Sequence, residues 1–199
     1  AWEDATCSPS TQLWIEPGTP PRLDRIYEQV LEGPEQVFVG SRPSTLPARV
    51  NRVLADASVR VATALQHLGY VGRCSFDYLV LGDPGTDFTV HFTECNGRWG
   101  GTSTPMHLVD RVVLGPRPPY RAQEVVTPKL VGESFEDLAA ALGDRLFDHR
   151  TRHGRYLLYN VGPLQRFGKL AVIALGSPQA EADEALQYDL PHRLDSLDD

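Results

Sequence analysis

The sequence predicts an α+β fold, a mainly antiparallel sheet packed against helices, and three observations carry that expectation. β-forming residues crowd positions 11–15 and 22–31 on either side of Pro17-Gly18 and Pro20-Pro21, which reads as a long hairpin. Val50, Val53, Leu54, Ala57, Val61, Ala64, Leu65 and Leu68 recur at three- and four-residue spacing, so one face of a helix is apolar throughout. Positions 71–81 and 88–95 flank the turn-rich GDPGTD and form a second hairpin.

The remaining elements follow in order. Positions 36–41 (QVFVGS) read as a third strand ended by Arg42-Pro43. Ser44 or Thr45 is placed to cap the periodic helix, and Gly69 to take the left-handed position beyond its end. After the second hairpin comes the glycine-rich GRWGGTS, then a short helix from Ser103 or Thr104 to about Val113. The stiff connector LGPRPPYR marks a boundary between a domain over 1–115 and a smaller α+β extension over 116–199. Within the extension, 124–131 reads as a strand, and Ser134 starts a helix with Asp137 completing a near capping box and Leu138, Leu142 and Leu146 in an apolar row. Positions 156–161 and 170–175 pair around GPLQRFGK, an acidic helix begins at Pro178, and HRLDSLDD is expected to fray.

Composition narrows the function. Nineteen Lys and Arg against twenty-six Asp and Glu leave a net charge of −7, which provides no basic face for nucleic acid. A hydrophobic content of 41% is enough to build a core, which excludes disorder. The longest apolar run, 170–175, falls far short of the ~20 residues that span a bilayer, so no membrane segment is expected. Cys7, Cys74 and Cys95 cannot all pair and show no metal-binding spacing, which favours a reducing cytoplasm. The opening AWEDATCSPS has no initiator Met and no signal-like stretch, as in a chain that has been cut or is a piece.

Chemistry concentrates in the second hairpin. A turn centred between Gly85 and Thr86 makes facing residue numbers sum to 171, which sets Asp77 opposite Glu94. Alternation then gathers Arg73, Ser75, Asp77 and Leu79 on one face with Val90, Phe92, Glu94, Asn96 and Arg98, and turns Cys95 away as a small buried hydrophobe. Two facing carboxylates on a partly apolar face raise a pKa or recruit a cation. Carboxylate and amide oxygens suit Mg²⁺, and Arg98 is then placed to meet an anion held by the metal. The same charges also fit a plain hairpin whose polar face is solvated.

Glu94-Cys95-Asn96-Gly97-Arg98 matches the E-x-N-x-R motif of ATP-grasp ligases, and Asp77 falls where that superfamily carries an acidic residue on the preceding strand. With Gly100-Gly101-Thr102, the SPS-x-QL segment and the ending YLLYNVGPLQRFGKLAVIALGSPQAEADE, nearly the whole chain resembles the peptide-ligase branch typified by pheganomycin biosynthesis. The resemblance implies an ATP-dependent ligase that joins a small-molecule carboxylic acid to an amine or peptide through an acyl phosphate. It makes Asp77, Glu94 and Asn96 ligands of Mg²⁺ and Arg98 the catalytic cation. Arg73 would contact a phosphate or the acid substrate, or else form an ion pair with Asp77 or Glu94. Gly100, Gly101 and Thr102 would hold an anion on backbone N–H groups, or only cap the following helix. Gln12 and Glu28 lie in segments that resemble nucleotide-facing strands, where solvated polar residues are equally at home. The family's phosphate-binding lysines and adenine-binding strand have no counterpart upstream of Cys7, so the chain resembles the C-terminal half of an ATP-grasp fold. The N-terminal half would be a separate polypeptide, removed, or outside this sequence. Two further readings stay open: a non-catalytic ATP-grasp-derived module that binds or regulates a partner, and a different Mg²⁺-dependent phosphoryl-transfer enzyme.

Overall fold

Two-residue alternation, interrupted by register shifts, organises the strands of the first half of the chain. β1 (Ala5–Cys7), β2 (Pro9–Ile15), β3 (Arg22–Glu32) and β4 (Val37–Pro43) precede helix α1 (Ala48–His67), and β5 (Gly72–Gly82) and β6 (Phe88–Asn96) follow it. A computed structural model describes residues 5–197. They divide into two units at Thr104 and Pro105, ahead of the Pro-rich connector where the sequence placed the boundary.

All strand pairs of the first unit are antiparallel. β1 and β2 follow one another along one edge of β5, β6 lies along its other edge, and β3 and β4 extend the sheet beyond β2. Leu13, Ile15, Cys74, Phe76, Tyr78 and Val80 are buried in one core with Val50, Leu54 and Ala62 of α1. Each strand therefore gives its odd (β2) or even (β5) positions to the helix and its other positions to the opposite face. Three hydroxyls cross the helix contact: Ser58 on α1 lies 2.8 Å from Thr11 and 2.8 Å from the Tyr78 hydroxyl, all buried.

The start of α1 differs from expectation. Its N-cap is Pro47, with no side-chain cap, because Ser44 and Thr45 are engaged elsewhere. Ser44 donates to Asn51 Oδ1, and both the backbone N–H and the hydroxyl of Thr45 donate to Glu28. Gly69 has the positive φ, +89°, expected just past the helix.

In the second unit, helix α2 (Ser103–Val112) begins at the boundary, and β7 (Tyr120–Val126), helix α3 (Phe135–Leu142), β8 (Tyr156–Tyr159), the short α4 (Leu164–Phe167) and β9 (Lys169–Leu175) follow. β9 is the central strand, antiparallel to β7 on one side and β8 on the other. The strand expected over 124–131 instead ends at Val126, and Pro128, which lacks an N–H for a ladder, opens a 3₁₀ turn over Pro128–Leu130. The Ser134 and Asp137 capping box is complete in both directions. The tail does not fray over its described part. After α5 (Gln179–Glu184) and a π turn over Ala185–Asp189, α6 (Leu190–Leu194) continues the helical path, because Leu186, Leu190 and Leu194 at four-residue spacing enter the core with Leu138, Leu142 and Leu170. Among the described residues no helix is long and apolar enough to cross a membrane.

The hydroxyl bridge gives a first test. Ser58→Ala removes the hydroxyl that joins Thr11 to Tyr78 in a dry layer, leaving Thr11 its longer 3.4 Å bond to the Phe76 carbonyl, and urea unfolding is expected to show a loss of about 1 kcal/mol.

Candidate functional site

Ser75 pairs with Asn96, Phe76 with Cys95 and Asp77 with Glu94, so the two carboxylates face each other as the sequence predicts. Immediately beyond, the register shifts by one: Tyr78 pairs with Phe92, and Thr93 is the extra residue of a β-bulge whose hydroxyl donates to the Asp77 carbonyl at 2.9 Å. The turn explains the shift. Asp83 accepts from Gly85 N–H and the Thr86 hydroxyl, and the hairpin closes with Gly82 opposite Phe88, one residue out of step with the motif end. The bulge corrects the expected face. Phe92 and Val90 turn toward the α1 side, where Phe92 meets Phe76 and Tyr78 edge-on at 5.8 and 5.6 Å. Cys95 is on that side too, but exposed rather than buried, because β6 is the sheet's edge.

On the opposite face, a cleft of about 650 Å³ brings together Gln12, Asp77, Glu94, Asn96, Arg98, Gly100, Gly101 and Thr102. Ser8, Ser10, Gln29, Ser75 and Thr93 add hydroxyls and an amide, and Leu31 and Phe38 form an apolar rim. Asn96 Nδ2 donates to Asp77 Oδ2 at 3.1 Å. Gln12 is almost fully buried: its Nε2 donates to Ser10, and its Oε1 accepts from Ser103, whose oxygen accepts the Gly100 N–H. Gly101 admits Phe38 so closely that a Cβ there would lie 2.7 Å from the ring.

Two residues expected at the site stand outside this lining. Glu28 is buried against Arg42 at 3.1 Å and the Thr45 N–H and hydroxyl. Arg73 bonds neither Asp77 nor Glu94; its Nη2 is 2.9 Å from Asp24, and its guanidinium lies over the rings of Trp14 and Trp99.

Burial is the main force on Asp77, pushing its carboxyl above the ordinary value; hydrogen bonding by Ser10 opposes this and Glu94 adds to it, while Gln29 and Arg98 pull the other way. Among the described residues no group of three His, Cys, Asp or Glu is placed to hold a metal. The donors present are two facing carboxylates and the Asn96 amide, whose Nδ2 is spent on Asp77 and whose oxygen is not. That all-oxygen set fits Mg²⁺, which takes one or two carboxylates and fills its sphere with water and phosphate oxygens.

No family model matches the sequence, and no curated protein matches it. Solved structures do. The ATP complex of carboxyaminoimidazole ribonucleotide synthase from Aspergillus clavatus superposes with a TM-score of 0.64 at 12% identity over 98% of this chain and 52% of that one. The same fungal enzyme with ADP and 5-aminoimidazole ribonucleotide gives 0.62 at 11% identity, over 98% and 53%. The N5-carboxyaminoimidazole ribonucleotide synthetase of Thermus thermophilus gives 0.59 at 15% identity, over 98% and 52%. The fold is shared with about half of each of these synthetase chains. At these identities the likeness concerns the fold alone, and this chain spans about half the length of the structures it matches.

Sequence reasoning missed Ser8, Ser10, Gln29 and Thr93 as cleft residues. The even-numbered positions 8, 10 and 12 share a face by simple alternation, so Ser8 and Ser10 were open to detection. Gln29 on the neighbouring strand and the bulged Thr93 carried no local signal.

The raised Asp77 carboxyl sets a pH prediction. Native Asp77 keeps its proton to higher pH than the unfolded chain does, so its ionisation lowers stability as pH climbs from the ordinary 3.8 through the raised value. In metal-free buffer Asp77→Asn is expected to melt higher than wild type at neutral pH, with the difference closing at strongly acidic pH. Thermal unfolding with EDTA across that range checks the sign.

Proposed function

We propose that this chain is the metal-binding catalytic half of an ATP-dependent ligase that joins a carboxylic acid to an amine. The single observation that carries the proposal is the Asp77 and Glu94 pair, held in register on the wall of a cleft to which Arg98 and the Gly100–Thr102 backbone also contribute.

The charge balance of the cleft supports it. Its lining holds two carboxylates against one cation, Arg98, so a triphosphate entering alone meets net negative charge. Asp77, Glu94 and Asn96 would hold Mg²⁺, which neutralises that charge and polarises the phosphoryl oxygens when bound. Arg98, exposed at the cleft, would steady the acyl phosphate and then the oxyanion formed as the amine attacks. Backbone N–H groups of Gly101 and Thr102 lie at the head of α2, where the helix dipole favours an anion, while the Gly100 N–H is given to Ser103. Gln12 orders this wall by fixing Ser10 and Ser103, while Glu28 secures the approach to α1 on which β3 and β4 depend.

The structural neighbours' bound ATP, ADP and amine-bearing ribonucleotide favour a small-molecule acceptor, and the SPS-x-QL and C-terminal resemblances favour an amino acid or peptide. On this reading Mg-ATP raises the melting temperature of wild type, and Glu94→Ala weakens the response by at least ~10-fold in Mg-ATP concentration. In the complete protein, acid and amine together should release ADP and phosphate. Undiminished turnover in Glu94→Ala would overturn the assignment, and no Mg-ATP response together with a co-purifying partner would favour the non-catalytic module.

A further inference from the structure

We propose that Arg73 is a positioning residue: lying over the rings of both Trp14 and Trp99 and anchored by Asp24, it fixes the loop over residues 97–103 so that Arg98 and the glycines reach the cleft. The functional consequence rests on the nucleotide reading above, whereas the clamp itself rests on geometry.

The Arg73 side chain is only 9% exposed, and just one of its nitrogens has an anionic partner, Nη2 on Asp24 at 2.9 Å. Nε and Nη1 are buried without any hydrogen-bond partner. A buried guanidinium with two unbonded nitrogens is unfavourable unless something else compensates. Here the guanidinium lies over two indole rings, Trp14 at 5.5 Å and Trp99 at 5.0 Å. Neither contact is accidental. Trp14 pairs directly with Arg73 across β2 and β5, and Asp24 is the extra residue of a bulge in β3, left between Leu23 opposite Leu13 and Arg25 opposite Gln12.

The loop is held at both ends. At its start, the Tyr70 hydroxyl donates to the Arg73 carbonyl at 2.5 Å, and the Tyr70 ring lies 3.3 Å from where a Gly97 Cβ would stand. At its end, Gln12 binds Ser103 and Ser103 binds the Gly100 N–H. Trp99 sits between these anchors and stacks on Arg73, while its neighbour Arg98 lines the cleft and donates from Nη1 to the Trp99 carbonyl at 3.1 Å. Holding one indole therefore sets the adjacent guanidinium. Trp99 is half-exposed, so its ring contributes more to placement than to the core.

The test uses 5-fluorotryptophan-labelled full chain, with the Trp14 and Trp99 signals assigned by Phe substitution at each. Trp99→Leu leaves the Arg73 and Asp24 pair intact and is expected to keep the ligand-free melting temperature near wild type. It should nevertheless weaken Mg-ATP binding on the order of 10- to 100-fold, the effect of displacing a binding group by about 1 Å. Binding of Mn²⁺ alone, which needs Asp77 and Glu94 but not the loop, should stay unchanged, and Trp99→Phe should recover most of the Mg-ATP affinity. Arg73→Lys, which keeps the charge but loses the flat stacking surface, should shift and broaden the Trp99 fluorine signal. An unmoved Trp99 signal in Arg73→Lys overturns the clamp. Unchanged Mg-ATP affinity in Trp99→Leu, or an equal loss of Mn²⁺ and Mg-ATP binding, overturns the positioning role. If wild type itself ignores Mg-ATP, the nucleotide reading falls and the fluorine signal alone decides the clamp.

Discussion

The pairing register of β5 with β6 is the constraint on which the rest of the site depends. Asp77 faces Glu94 only because the ladder at the motif end runs one residue out of step with the ladder at the turn, and the Thr93 bulge absorbs the difference. If the register set at the turn ran on without a bulge, Thr93 would face Asp77 and the side chains from Glu94 to Asn96 would exchange faces: the carboxylate would go toward α1 and Cys95 into the cleft. The bulge is locked rather than tolerated, since the Thr93 hydroxyl bonds the carbonyl of Asp77 itself. Phe92 adds a second lock by packing its ring between Phe76 and Tyr78 on the far side of the sheet. Apolar packing on one face thus holds charge placement on the other.

The same two-sidedness runs through β2 and β5. Their helix-facing positions are nearly all apolar, and the energy of burying them against α1 is what holds the strands in place. Their other positions include the polar Ser10, Gln12, Ser75 and Asp77, and of these Ser10, Gln12 and Ser75 are also buried. A polar layer can be dry only if its groups bond one another. Gln12 does this with both ends of its amide, and one of those ends reaches Ser103, so the loop after β6 becomes part of the strand's own hydrogen-bonding. Stability of the sheet and shape of the site are therefore not separable in this unit.

How much of this the sequence revealed depended on how local each cause was. Helix α1 was legible because eight apolar residues repeat at helical spacing, whereas the Asp77 and Glu94 pairing followed from a turn centre set half a residue late, an offset that the Thr93 bulge makes good. The α1 cap was misread because Ser44 and Thr45 have the right chemistry but find better partners in Asn51 and Glu28, the second of them from a distant strand. The tail was misread because charge at 192–199 masked leucines whose spacing only matters once Leu138 and Leu142 are there to receive them. Arg73 was seen as a site residue and the face was right; its partners were hidden, because Asp24 comes from a bulge and Trp99 from a loop without periodicity. Composition and spacing report pairwise regularities, whereas bulges are exceptions to them.

A half-buried Asp77 beside Glu94 is a poor choice for stability, since burial and repulsion both oppose its ionisation and hydrogen bonds from Ser10 and Gln29, with the charge of Arg98, only moderate that. A chain selected for stability alone would carry Asn or Ser there. Groups held against their own ionisation preference concentrate where a ligand relieves the cost, and a divalent cation relieves it for both carboxylates at once. Arg98 and Arg73 then divide the positive side of the balance. One is exposed at the cleft, where it can meet an anion; the other is buried over two indole rings and paired with Asp24. The roles proposed for them follow from exposure rather than from residue type: an arginine that is to bind must be reachable, and an arginine that is to hold a loop must not move.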